Sequence, residues 1–292
     1  MFSSNLTVVD RSETRIYSNI PSSQNPNGRS SLQEGGAITA VQSSVVIYGT
    51  CILVDNNAED GGAIHATESK ISIYGEVTVA NNTATHSGGG IHLFQSEMKC
   101  AESSTLKILK NNAKNKGGGI HEVSSLIISE LKEKSGSLVI ICENNAELGG
   151  GICMEVNSKI YILKLQHSNR ELKHWNHRLS DNSADYGAAV YVTDDTNFAT
   201  CASSSYRQYS TLTECFMQIL ALHDELRSTL ILDNVNFTNN NAQYSGSTLY
   251  GGLLDRCSVS HMLKYTVSTI LISNKNLIFS MVLHTSKLSA QL

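Results

Sequence analysis

An Asn-x-Ala turn, followed six or seven residues after its Ala by a Gly-rich signal and an aliphatic residue, recurs through most of this chain. The turn Asn residues are Asn56, Asn82, Asn111, Asn144, Asn182 and Asn240, each with Ala two residues on. The aliphatic residues are Ile64, Ile91, Ile120, Ile152, Val190 and Leu249, with Ile38 opening an earlier copy. Gly36, Gly62, Gly89, Gly118, Gly150, Gly187 and Gly246 mark the turn before each. Successive Asn residues lie 26, 29, 33, 38 and 58 positions apart. Periods of this size belong to stacked units that are each too small to bury their own apolar face. The last interval is about two periods, so the spacing predicts one degenerate rung inside 193–229.

Within a period the residues alternate as a strand does. In 69–79, Ile71, Ile73, Val77 and Val79 share one face, with polar residues opposite. Short β-rich runs between Gly and Asn turns, with only 2 prolines in 292 residues, favour strands joined by tight bends. The expected fold is all-β: a right-handed parallel β-helix, a single-stranded solenoid of roughly seven to nine coils. Asn at one coil position suits an internal ladder, its amide donating to one rung and accepting from the other. The glycines supply positive φ or close backbone approach at the next corner.

The solenoid occupies 35–257 in this reading, with insertions near 164–180 and 193–229. Residues 1–34 form a lead-in or partial first coil, and 258–292 an imperfect last coil, a cap or an irregular tail. A net charge of −4 and a pI near 6.2 give no basic field, so nucleic acid is not an expected partner. The N-terminus encodes no signal peptide, and no window of 18 apolar residues marks a membrane-spanning helix. Sequons at Asn5, Asn81 and Asn236 are weak pointers to export.

Seven cysteines make an odd number, so at least one is free or pairs outside the chain. Cys201 and Cys215 are the candidate disulfide, worth ~3 kcal/mol if formed. His65, His92 and His121 share the coil position after the inward Ile and are expected to stack on an outer, substitution-tolerant face. Such a row could bind a soft divalent metal or titrate together. The plainer reading is an outward ladder of repeat-derived residues, and no metal or cofactor is assigned. Trp175, with His167, His174 and His177, falls in the first insertion, where a sugar-stacking aromatic or a folded-back solvent loop are both open readings. Asp181, Asp185, Asp194, Asp195 and Asp233 are the acids near coil turns; Asp194-Asp195 comes nearest to a catalytic pair and reads more simply as a solvated turn.

The Gly-Gly-Ala-Ile runs Gly35–Ile38 and Gly61–Ile64, paired with apolar-x-x-Asn, resemble the repeats of the chlamydial polymorphic outer membrane proteins. The second motif of that family, Phe-x-x-Asn, stands literally at Phe237–Asn240; Leu53, Val79, Ile108, Ile141 and Leu179 replace the Phe elsewhere. Uncharacterised large animal proteins, especially from sponges, carry a similar repeat. The resemblance implies a surface-exposed right-handed β-helix acting in adhesion, with surface proteins or glycans as partners and the present chain as a piece of a longer exported protein. Two other classes stay open: a polysaccharide lyase or hydrolase on the same scaffold, and an intracellular scaffold.

Overall fold

The structure is a computed structural model. It describes residues 5–17, 35–129, 131–132, 135–162, 177–200, 228–232, 235–247, 249–259, 269–274 and 277–282. Every described element is a strand, and the chain winds as a parallel solenoid.

One coil shows how the sequence builds the rest. Ile64–Thr67, Lys70–Ile73, Glu76–Ala80 and Thr83–Ser87 are its four strands, each pairing in parallel with the equivalent strand of the next coil. The first stack runs from Ile38–Val41 through Ile64–Thr67, Ile91–Phe94, Ile120–Val123 and Ile152–Glu155 to the starts of Val190–Thr200 and Leu249–Val259. Its register aligns the aliphatic residues of the repeat one above another. Ile38, Ile64, Ile91, Ile120, Ile152 and Val190, together with Ile71, Ile73, Val77, Val79 and their buried equivalents, form a continuous core. No single coil could bury that face alone.

Three devices turn the corners. At the third, Asn56, Asn82, Asn111, Asn144, Asn182 and Asn240 form the expected internal ladder. Each Nδ2 from Asn56 to Asn182 donates to the Oδ1 of the next rung at 2.9–3.1 Å. The same Oδ1 also accepts the backbone N–H of the preceding rung's Asn. The residue before the ladder Asn is left-handed although it is not Gly: Asp55, Asn81, Lys110, Glu143, Asp181 and Asn239 have φ between 53° and 58°.

The glycine corner splits the two roles expected of its residues. Gly61, Gly88, Gly117 and Gly149 take the positive φ, as do Gly187 and Gly246. The following residue serves close approach: a Cβ at Gly62 would collide with the carbonyl oxygen of Gly89 in the coil above.

A second ladder holds the corner between the first two strands. The backbone N–H groups of Ser43, Ser69 and Ser96 donate to Ser69, Ser96 and Ser125 Oγ at 3.0–3.1 Å. Each hydroxyl donates in turn to a carbonyl two residues earlier. The signal is present in the sequence as a Ser recurring at intervals of 26, 27 and 29, those of the aliphatic residues Ile38, Ile64, Ile91 and Ile120.

The degenerate rung expected inside 193–229 is not inserted into the ladder. Asn182 bonds Asn240 directly, and Ser183 and His177 pair with Asn241 and Val235. The 58-residue interval is therefore one coil step carrying a long insertion. Thr196–Ala199 does fill an extra slot on Ser228–Ile231, in the second stack only. His177 likewise leaves the first insertion for the solenoid: it is buried in His177–Ser180, and its Nδ1 accepts the Val139 N–H at 3.1 Å.

At the ends, Asn5–Tyr17 pairs in parallel with Ser44–Val54, and Thr269–Asn274 lies parallel to Leu249–Val259 before an antiparallel turn to Leu277–Val282. Trp175, His167, His174, Cys201, Cys215 and Asp233 lie outside the described residues.

Candidate functional site

The outer side of the first stack carries, in register, Thr39, His65, His92, His121, Cys153, Tyr191 and Tyr250. The glycine corner brings the ends of the fourth strands against this row. Asp60, Ser87, Lys116, Leu148 and Tyr186 provide that second wall. The corner glycines are part of the fit, since a Cβ at Gly88 would meet His92 Cβ at 2.9 Å.

The His row therefore stacks as expected but does not stand in open solvent. His65 and His121 are 4% and 5% exposed, and His92 is half-buried. Ring centroids are 4.9 Å apart in both pairs; His92 and His121 are parallel, whereas His65 meets His92 edge-on with the two Nδ1 atoms 3.3 Å apart. Alternation along one strand accounts only for the rings pointing away from the core. The second wall, contributed from across the corner, is what covers the rings.

Burial, together with the neighbouring His121 and His65 rings, lowers the His92 pKa to about 3, so its ring is neutral at physiological pH. One rung away, Asp60 Oδ1 accepts the Ser87 N–H and contacts His86 Nδ1, both at 2.9 Å.

At the other end of the row three different donors converge. His121, Cys153 and Glu155 each place a ligand atom within 4.8 Å of the others. His121 Nε2 lies 3.6 Å from Glu155 Oε2, and Lys116 pairs with the other carboxylate oxygen. The His121 ring and, after it, the Lys116 ammonium hold Glu155 down to about 2 despite its partial burial. Cys153 is fully buried and free, and burial pushes its thiol well above the usual range. Neither ring nitrogen of His121 has a hydrogen-bond partner. Beyond this cluster the row becomes aromatic, with Tyr191 stacked on Tyr250 at 5.1 Å and Tyr186 tilted against Tyr250 at 5.5 Å.

Sequence reasoning picks out His121 as one of the row of three His residues and does not join Cys153 to it. It missed Glu155 and Lys116, which lie 39 residues apart and meet only because the coil closes. It also missed Glu122, whose neighbours in the stack are Leu93 and Met154. Glu122 is fully buried with neither carboxylate oxygen bonded, and desolvation raises its pKa well above the ordinary value.

Two outer grooves lie elsewhere on the described surface. One, of about 710 Å³, follows the Ser-ladder corner past Gln42, Glu68, Gln95 and Lys159; the other, of about 720 Å³, crosses Asn112, Asn145, Asp185 and Gln243. Of the acids near coil turns, Asp181 contacts Arg178 at 3.9 Å and accepts from Asn239 at 3.1 Å. No described helix is long and apolar enough to cross a membrane.

Comparison with known proteins touches one coil: no curated protein and no solved structure matches the chain. Residues 76–93, which run from the third strand through the ladder Asn82 and the glycine corner to His92, match the family model described as the Chlamydia polymorphic membrane protein (Chlamydia_PMP) repeat. The chain is thus a parallel β-solenoid with a stretch similar to a repeat known from chlamydial surface proteins.

Proposed function

We propose that this chain is a non-catalytic, surface-exposed display segment that acts in adhesion or recognition at the cell surface or outside the cell. The observation that carries the reading is the division of labour within each coil. Interior positions are, with Glu122 as the exception, uniform in kind, with aliphatic residues and an Asn whose amide bonds are all used, while outer positions vary from rung to rung. A rod of this sort is stiff because every rung pairs with its neighbours, and it offers a long outer surface at little structural cost. Affinity for a surface protein or a glycan then sums many weak contacts along its length. The similarity of residues 76–93 to a repeat of outer-membrane surface proteins supports the same reading. The stacked pair Tyr48–Tyr74, 4.9 Å apart and exposed, offers aromatic surface of the kind that sugars pack against.

The test has two halves. Antibody raised against the chain should label intact, unpermeabilised source cells, and beads coated with the chain should be retained on a cell or matrix surface in proportion to coating density. Labelling only after permeabilisation would replace this reading with an intracellular scaffold. Release of new sugar ends from a polysaccharide panel would replace it with an enzyme.

A further inference from the structure

We infer that His121, Cys153 and Glu155 form a binding site for a thiophilic divalent cation of the zinc class. The inference does not depend on the surface-display reading. Its starting point is a contrast within the molecule. The residues of the two ladders are satisfied: each interior Asn amide and each hydroxyl of the Ser ladder finds partners. His121 departs from that pattern. Its side chain is 7% exposed, yet both ring nitrogens lack a hydrogen bond, and Nε2 is aimed at the one place where a thiol and a carboxylate also converge. An orphaned buried polar group beside other donors is the usual trace of an ion or water that belongs there.

The donor set selects the cation. One imidazole nitrogen, one thiolate and one carboxylate oxygen suit zinc-class ions and leave a fourth tetrahedral position for water. Bonds of about 2.0–2.3 Å place ligand atoms roughly 3.3–3.7 Å apart. The 3.6 Å separation of His121 Nε2 and Glu155 Oε2 already meets that requirement, and the widest pair has to close by ~1 Å. Binding ionises Cys153, so one thiol proton leaves to solvent as the metal–sulfur bond forms. Burial in the metal-free state keeps that thiol protonated, which makes uptake favour higher pH. His92, parallel to His121 and neutral, adds no positive charge to the approach of a cation. Lys116 does: its ammonium holds Glu155 and competes with the metal.

Cobalt(II) titration of the full chain, freed of metal by chelation, tests the site. A thiolate-to-cobalt charge-transfer band and tetrahedral visible bands should grow to one equivalent and vanish on adding zinc. Cys153→Ser should abolish the ultraviolet band, and His121→Gln or Glu155→Gln should weaken binding by more than about tenfold. His65→Gln, two rungs away, should leave the spectrum unchanged. Lys116→Gln should tighten binding about tenfold by removing the competing charge. Circular dichroism in chelator monitors folding of each variant. A folded wild-type chain with no thiolate band, a band that survives in Cys153→Ser, or a Lys116→Gln variant that binds no tighter would each overturn the assignment.

Discussion

Asn111 sits between Asn82 and Asn144 with every amide hydrogen bond engaged: its Nδ2 donates to Asn144 Oδ1 at 3.0 Å and to the Val79 carbonyl, and its Oδ1 receives both the N–H and the Nδ2 of Asn82. Replacing Asn111 by Leu orphans two buried donors on Asn82. At ~1–3 kcal/mol for each unsatisfied group, the loss should be on the order of 3 kcal/mol, read as a lower urea midpoint. An unchanged midpoint would mean that backbone stacking alone holds this corner.

Glu122 makes the opposite prediction. Its carboxyl lies in an apolar stack, and burial raises its folded-state pKa above the unfolded one. Above the unfolded pKa the unfolded chain gives up this proton while the folded chain keeps it. The group therefore costs stability as pH rises from about 4.3 upward. Glu122→Met should stabilise by about 2 kcal/mol at neutral pH and much less at pH near 4. Paired urea melts at the two pH values check it; a destabilised variant at neutral pH would show that the carboxyl has a partner in solution.

The His row predicts acid sensitivity. In metal-free protein, His92 stays neutral in the folded state down to about 3, while an unfolded His gains a proton near 6.5. Between those values the unfolded state holds more protons, so stability falls as pH drops through that window. The groups around the ring are His65, His121, His86 and Asp60. His92→Gln should flatten this part of the curve, measured as melting midpoint against pH in chelator; an unaltered slope would assign the acid sensitivity to another group.

Gln95 tests the corner backbone. It is exposed, with φ of 48°, a conformation that costs a side chain about 1 kcal/mol or more and glycine almost nothing. Gln95→Gly should be neutral to stabilising, by up to about 1 kcal/mol, whereas the β-branched Gln95→Val should destabilise. Thermal melts of the two variants that moved together would remove the backbone explanation.

The sequence by itself determined the parallel solenoid, the Asn ladder and the inward aliphatic rows, because each arises from a residue type recurring at a fixed place in every coil. A periodic requirement leaves a periodic trace. The Ser ladder leaves the same kind of trace, a Ser before the second strand of successive coils. Tertiary structure alone decided what happens across the glycine corner. Alternation along Ile64–Thr67 places His65 outside the core, but only the closing of the coil brings a second wall over it. The same closure joins Lys116 to Glu155, beside His121 and Cys153, which neighbouring strands of one stack already hold in register. It likewise decided that the 58-residue interval is one step: Asn182 bonds Asn240 because the strands before and after the insertion pair with each other, and a ladder counts rungs in space, not residues in between.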